Sequence, residues 1–498
     1  MIIQHEVGVL RLKKVSILCF PLLLAGLGLS CGGYSSSSGS TNPNLKYRAF
    51  VTNSVSAGTL AAGVYIVDAQ NDVRANASAL SAGNNPGMMV LTPNRAETLV
   101  FSGSGTQGSD NQLTVLSNGG QSAIGHVILP GMTKSFIVSP DSSAAYAAVP
   151  TAPVTGQSPG VVEVLSVAAA TVTSTISCPP YNPNTTTPMC LPNLPPPCSP
   201  AYNCGGFNAP YTYLSIGNLG NRILAFSEGS DDVANAIAVI TPSSVGTANP
   251  VITFVPGFDH PVWAYFNSDD TTAYVLNCGP ECGGQHSSIQ PLDMTTTPPT
   301  PGVAVNIPAG SVALVNNSTM YLAGTPVPAS PCTGETTQAT TCGFLTVFDL
   351  NSMSVVNPSG CAVGTNCPYI ITDGYHDHIA MGANGQLFIG AHTCTEVIPP
   401  QPPPPGAEVR GCLSIFNTLT TAVGSVAPSG VLIPSANGDV TGLQPIATRQ
   451  VVYLVQGGTL TIYNALSDTL FDNPHDSENP GQIFGLVGQM FDVKTVDF

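Results

Sequence analysis

The chain has 498 residues, of which 8% are charged and 43% hydrophobic, and its net charge is −16. Only 12 residues are Lys or Arg, too few for the basic footprint that nucleic acid or an anionic lipid surface requires. Gly 51 and Pro 45, about a fifth of the sequence, exclude long helices and coiled coils, and recurrent short apolar runs exclude disorder.

In chain order, residues 1–31 read as an export leader. Arg11, Lys13 and Lys14 form a positive start, and Val15 to Leu29 is an apolar run too short and too Gly-interrupted for a membrane span. The run ends at Leu29-Ser30-Cys31, before Gly32 and Gly33, and residues 32–45 form a Ser/Gly-rich tether. This resembles a bacterial lipoprotein signal. The resemblance implies that Cys31 carries the lipid and becomes the mature N-terminus. It departs from the usual pattern at Gly28, where such signals carry Leu. By the same resemblance, Gly32 in place of Asp implies the outer membrane where the cell has one, and the cell surface otherwise. The expected location is extracytoplasmic, with the membrane reached through the lipid anchor only.

Residues 46–498 carry a repeat. Its motif is apolar, any, apolar, apolar, then a small turn-former, as in Val64-Tyr65-Ile66-Val67-Asp68. It recurs at Leu113–Ser117, Val162–Ser166, Ile237–Thr241, Ile289–Asp293, Leu345–Asp349, Leu413–Asn417 and Leu460–Asn464. A hairpin precedes each motif, with turns such as Ser139-Pro140-Asp141, Asn267 to Asp270 and Ala383 to Gly385. A weaker fourth strand can follow, as at Val251–Val255. Four strands per unit of roughly 50 residues predict an all-β propeller blade.

Ser139-Pro140-Asp141, Tyr274 to Asn277 and Tyr47 to Asn53 together resemble the YVTN/YncE-type propeller repeat, a relative of lactonase-type propellers. Eight motifs predict eight four-stranded blades. Seven is usual in the resembling family and stands as the alternative, one motif then being a decoy. The first unit begins directly at Tyr47 and lacks a leading strand, whereas Met490–Val496 is an orphan strand. The tail is therefore expected to complete the first blade and close the ring, leaving no free edge.

Twelve cysteines follow the leader. Pairing sequence neighbours gives 178–190, 198–204, 278–282, 332–342, 361–367 and 394–412, the arrangement expected of Cys178, Cys190, Cys198, Cys204, Cys278, Cys282, Cys332, Cys342, Cys361, Cys367, Cys394 and Cys412 in an oxidising compartment. The competing reading is a metal site at Cys278, Cys282 and His286, the one stretch with zinc-like spacing. The run Pro399 to Pro405 reads as a stiff excursion inside the 394–412 loop, and Trp263, the only Trp, as core between blades.

The polar signal is a repeated dipeptide. Asp259-His260 and Asp377-His378 each precede a first hairpin strand, and His376 and His392 belong to the second unit. If those strands are innermost, both pairs face the central channel, where imidazole and carboxylate could hold a metal or exchange protons. The opposing reading is that each His only fixes a turn; the unit between them offers Ala309 and Gly310 at that place. No catalytic constellation is complete and no cofactor is expected. The leading expectation is a binding or scaffold module for an unknown protein, glycan or small-molecule ligand. The alternative is a lactonase-like or metal-assisted hydrolase, an activity the family resemblance suggests.

Overall fold

A computed structural model describes residues 45–497 except 55–60, 104–109, 154–159, 177–210, 228–234, 245–251, 329–341, 359–360, 363–364, 395–407, 411, 420–438, 466–468, 472–480, 482, 484–485 and 487. The leader, the tether to residue 44, the bridges expected at 178–190 and 198–204, Cys332 of the bridge expected at 332–342 and the run Pro399 to Pro405 lie outside the described residues.

The described strands form eight antiparallel sheets, each with a path of four strands. The inner strands of blades 1 to 8 are Met490–Thr495, Pro86–Leu91, Ser135–Val138, Tyr211–Ile216, Pro261–Phe266, Val312–Asn316, Tyr375–Met381 and Val440–Ile446. Each touches the next in that order, and the eighth touches the first, so the ring is closed. The chain is an eight-bladed β-propeller, and the seven-blade alternative falls. All eight motifs form the third strand of a blade.

Burial explains the motif. A blade sheet is covered on both faces, so successive residues of one strand serve two different interfaces. In blade 6, Met320 and Leu322 pack against blade 5, whereas Tyr321 and Ala323 pack against blade 7. Eight such apolar clusters fill the eight gaps between neighbouring blades. Trp263 is half-buried against the cluster between blades 5 and 6.

The tail closes the ring as expected. Met490–Thr495 pairs antiparallel with Arg48–Asn53, and Asp497 forms an ion pair with Arg48 at 2.5 Å. Buried Asp492 accepts the backbone N–H of Met89, tying blade 1 to blade 2 at 2.8 Å. On the other side, Arg449 of blade 8 grips Asp72 of blade 1 through two bonds of 2.6 Å, and the Tyr453 hydroxyl also donates to Asp72.

Two local departures have physical causes. Pro291 sits in a third strand, but its backbone faces the gap between the short outer strands Thr300–Pro301 and Val305–Asn306. There its carbonyl takes Gly302 N–H and no N–H of its own is needed. In blade 7 the outermost strand, Glu408–Arg410, precedes the third strand, Leu413–Asn417, and comes from the excursion closed by Cys394–Cys412.

Candidate functional site

Cys278–Cys282, Cys361–Cys367 and Cys394–Cys412 are disulfides, and Cys342 is disulfide-bonded as well. The first of these removes the zinc reading of Cys278, Cys282 and His286, because an oxidised pair offers no thiolate to a metal.

The two Asp-His pairs lie in blades 5 and 7, at the rim where the inner strands begin. They do different things. Asp259 turns back to the loop 278–286: its carboxylate accepts Gln285 N–H at 3.0 Å and His286 N–H at 2.7 Å. His260 is buried in the left-handed region at φ 53°, its carbonyl takes Cys278 N–H, and its Nδ1 lies 3.3 Å from Asp259. Gly284 makes this possible, since a Cβ there would stand 1.9 Å from Asp259 Oδ1. A cavity of about 410 Å³ adjoins the pair, and the described residues that line it all fall between Asn235 and Gln285. The two pairs therefore do not share that cavity.

The second pair lies inside its strand, as the third and fourth residues of Tyr375–Met381, and not ahead of it. The register shifts between His376 and His378, so Asp377 is the extra residue of a β-bulge. Neighbours on a regular strand point to opposite faces, but a bulge re-aims one of them. Here Asp377 Oδ1 meets His378 Nδ1 at 2.5 Å, and Asp377 Oδ2 meets His392 Nε2 at 2.9 Å from the adjoining strand. His392 Nδ1 lies 3.2 Å from Asp439 Oδ2, at the entry to blade 8. The result is a chain His378–Asp377–His392–Asp439 along an accessible rim.

The electrostatics follow from this geometry. Burial resists the Asp377 charge, but hydrogen bonds from His378 and His392 outweigh it and hold the carboxyl down at about 2. The bond to Asp377, with help from Asp439, lifts His392 to about 8 against partial desolvation. Desolvation pushes fully buried His376 down to about 4, and its Nε2 bonds the Thr372 carbonyl at 2.9 Å. His376 thus belongs to the packing of blade 7 and faces away from the cluster's chemistry.

One ligand atom each from Asp377, His378 and His392 can be chosen so that all three lie within 4.8 Å of one another. It is the only such group of three among the described residues. Mixed imidazole and carboxylate donors suit a divalent transition metal, and Asp439 stands where a second-layer carboxylate orients a ligating His. The hydroxyls of Tyr213 in blade 4 and Tyr375 in blade 7 meet at 3.1 Å, so inner strands three blades apart are bridged by two side chains.

Two residues carry no signal in the sequence. Asp439 is isolated there and reaches the cluster only because the ring sets blade 8 beside blade 7. Glu281 lies in the 278–286 loop, where burial pushes its carboxyl up to about 7 despite bonds from Thr325 and Ser311.

No family model matches the chain, and no curated protein matches it. Among solved structures it is similar to dihydro-heme d1 dehydrogenase NirN in complex with DHE, with a TM-score of 0.54 and 9% identity over 91% of this chain and 75% of that one. It is also similar to the periplasmic gluconolactonase PpgL of Pseudomonas aeruginosa, with a TM-score of 0.41 and 14% identity over 90% and 98% of the two chains. A third is the Cps50 (Swd1) β-propeller domain of Myceliophteria thermophila, with a TM-score of 0.43 and 6% identity over 76% and 93%. At these identities the likeness is one of fold.

Proposed function

We propose that this chain is an exported, lipid-anchored propeller that captures its ligand at the rim of blades 7 and 8 through a divalent metal ion. Asp377, His378 and His392 hold the ion, and Asp439 orients His392. The observation that carries this reading is the bulge at Asp377, which brings three ligand atoms within 4.8 Å. A metal ion held by three protein donors keeps positions for a ligand's oxygen atoms. The ligand is a small molecule, glycan or protein segment with such oxygens, and the net charge of −16 excludes nucleic acid.

Export rests on the leader 1–31, the tether 32–45 and Cys31 as lipidated residue. Disulfides in the body support an oxidising, extracytoplasmic compartment. No helix among the described residues is long and apolar enough to cross a membrane. The repeat's resemblance to YVTN/YncE propellers belongs to this reading too. A second reading, metal-assisted hydrolysis at the same rim, draws on Asp439, whose side chain is 44% exposed and could serve an attacking water as well as His392.

The test is metal content and titration of purified protein with zinc and manganese. One equivalent is expected, with at least tenfold weaker binding in His378→Ala and His392→Ala and unchanged binding in His260→Ala. Protein that binds no ion, or loses it equally in all three variants, overturns the reading. Turnover of esters or lactones that vanishes with the ion would favour the hydrolase. Radiolabelled palmitate incorporated into wild type but not Cys31→Ser tests the anchor.

A further inference from the structure

Blade 6 holds the bulged strand of blade 7 from one side. Ser311 Oγ lies 2.9 Å from the His376 carbonyl oxygen, and Thr325 Oγ1 donates to that of Gly374 at 2.7 Å. These two carbonyls sit one and three residues before Asp377. Both blade 6 residues also meet Glu281, which reaches across from the disulfide-tied loop of blade 5. Thr325 N–H donates to Glu281 Oε2 at 3.0 Å, and Ser311 Oγ lies 3.3 Å from Oε1. Gly324 leaves room both for the Gly310 backbone and for this approach, since a Cβ there would stand 2.6 Å from Gly310 Cα and 2.8 Å from Oε2.

A hydroxyl has one hydrogen. When Glu281 is a neutral acid, Oε1–H donates to Ser311 Oγ, and the Ser311 hydrogen goes to the His376 carbonyl. Every group is then satisfied, and consecutive bonds reinforce one another. When Glu281 is a carboxylate, it competes for the Ser311 hydrogen, and the His376 carbonyl loses its donor.

We propose that Glu281 is a positioning residue for the blade 7 site: its neutral form frees Ser311 to anchor the bulge that aims Asp377, and its ionised form withdraws that anchor. This rests on the metal reading above for its consequence, but not for its structural step. Burial places the proton exchange near neutral pH. The other titratable groups near this relay are His286, which lines the same cavity of about 130 Å³, and His376 and Asp377 beyond Ser311. Among the described residues no cation pairs with Glu281.

The experiment is hydrogen–deuterium exchange over the peptide containing Tyr375–Met381 in the full chain, corrected for intrinsic rates, at pH 6 and pH 8. Glu281→Gln keeps a permanent donor toward Ser311 and is the reference at each pH, because His392, lifted to about 8, titrates beside the same peptide in every variant. Wild type should match it at pH 6 and exchange about fivefold faster at pH 8, the worth of one net hydrogen bond. Ser311→Ala should exchange faster than Glu281→Gln by the same ratio at both pH values. Identical ratios of wild type to Glu281→Gln at the two pH values overturn the proposal, and so does a ratio of Ser311→Ala to Glu281→Gln that rises with pH as the wild-type ratio does. Zinc titration in parallel should give equal affinity for wild type and Glu281→Gln at pH 6 and a severalfold deficit for wild type at pH 8. If wild type binds no zinc, the metal reading fails alone and the exchange data still decide the relay.

Discussion

Blades 5 and 7 carry the same dipeptide at the same rim and put it to opposite uses. In blade 5 the aspartate is consumed by two backbone N–H groups of its own loop, and the histidine is buried beneath it. In blade 7 the aspartate is thrown out by a bulge and meets a second histidine from the adjoining strand. What separates the clasp from the open cluster is therefore the partner. Asp259 finds a tight loop with Gly284 at its closest point; Asp377 finds His392 and, behind it, Asp439.

The comparison breaks most visibly if the two aspartates are exchanged for alanine. Asp377→Ala is expected to weaken metal binding at least a hundredfold and to lower stability through the loss of its bonds to His378 and His392. Asp259→Ala should leave metal binding unchanged and lower stability by about 2 kcal/mol, since two backbone donors lose their acceptor. Calorimetric metal titration and urea denaturation of both variants read the two effects separately. Gly284→Ala should reproduce the Asp259→Ala loss, because its Cβ would fall on the carboxylate it leaves room for. If Gly284→Ala is as stable as wild type, the clasp is not what holds this loop.

The smaller effect concerns pH. The Glu281 acid is raised from its ordinary value to about 7 by burial, so the folded state holds a proton that the unfolded chain releases earlier. Its contribution to stability is complete below the unfolded value of about 4.5 and is lost as pH rises through 7. Glu281→Gln should flatten that part of the stability profile while leaving Asp259→Ala and Asp377→Ala distinct. Thermal melts between pH 5 and pH 8 check this, and an unchanged slope in Glu281→Gln would show that another group carries it.

The architecture was legible because it repeats. A strand buried on both faces needs apolar residues at nearly every position, and eight such runs marked eight third strands. The missing first strand at Tyr47 and the surplus strand at Met490 pointed to closure for the same reason: hydrogen-bonded edges must be paired. The site was legible only as residue types. His378 and Asp377 stood out, but the bulge that aims them depends on strand register, which no local pattern records. His376 looked like a ligand and is a packed core imidazole. Asp439 and Glu281 are single acids in unremarkable loops, and only the ring places them beside blade 7 and blade 6.

The most direct measurement is anomalous diffraction from crystals soaked in zinc, collected on either side of the zinc edge. One strong peak is expected, bounded by Asp377, His378 and His392 and absent in His392→Ala. A peak at Asp259 and His260, or no peak at the rim of blades 7 and 8, would contradict it.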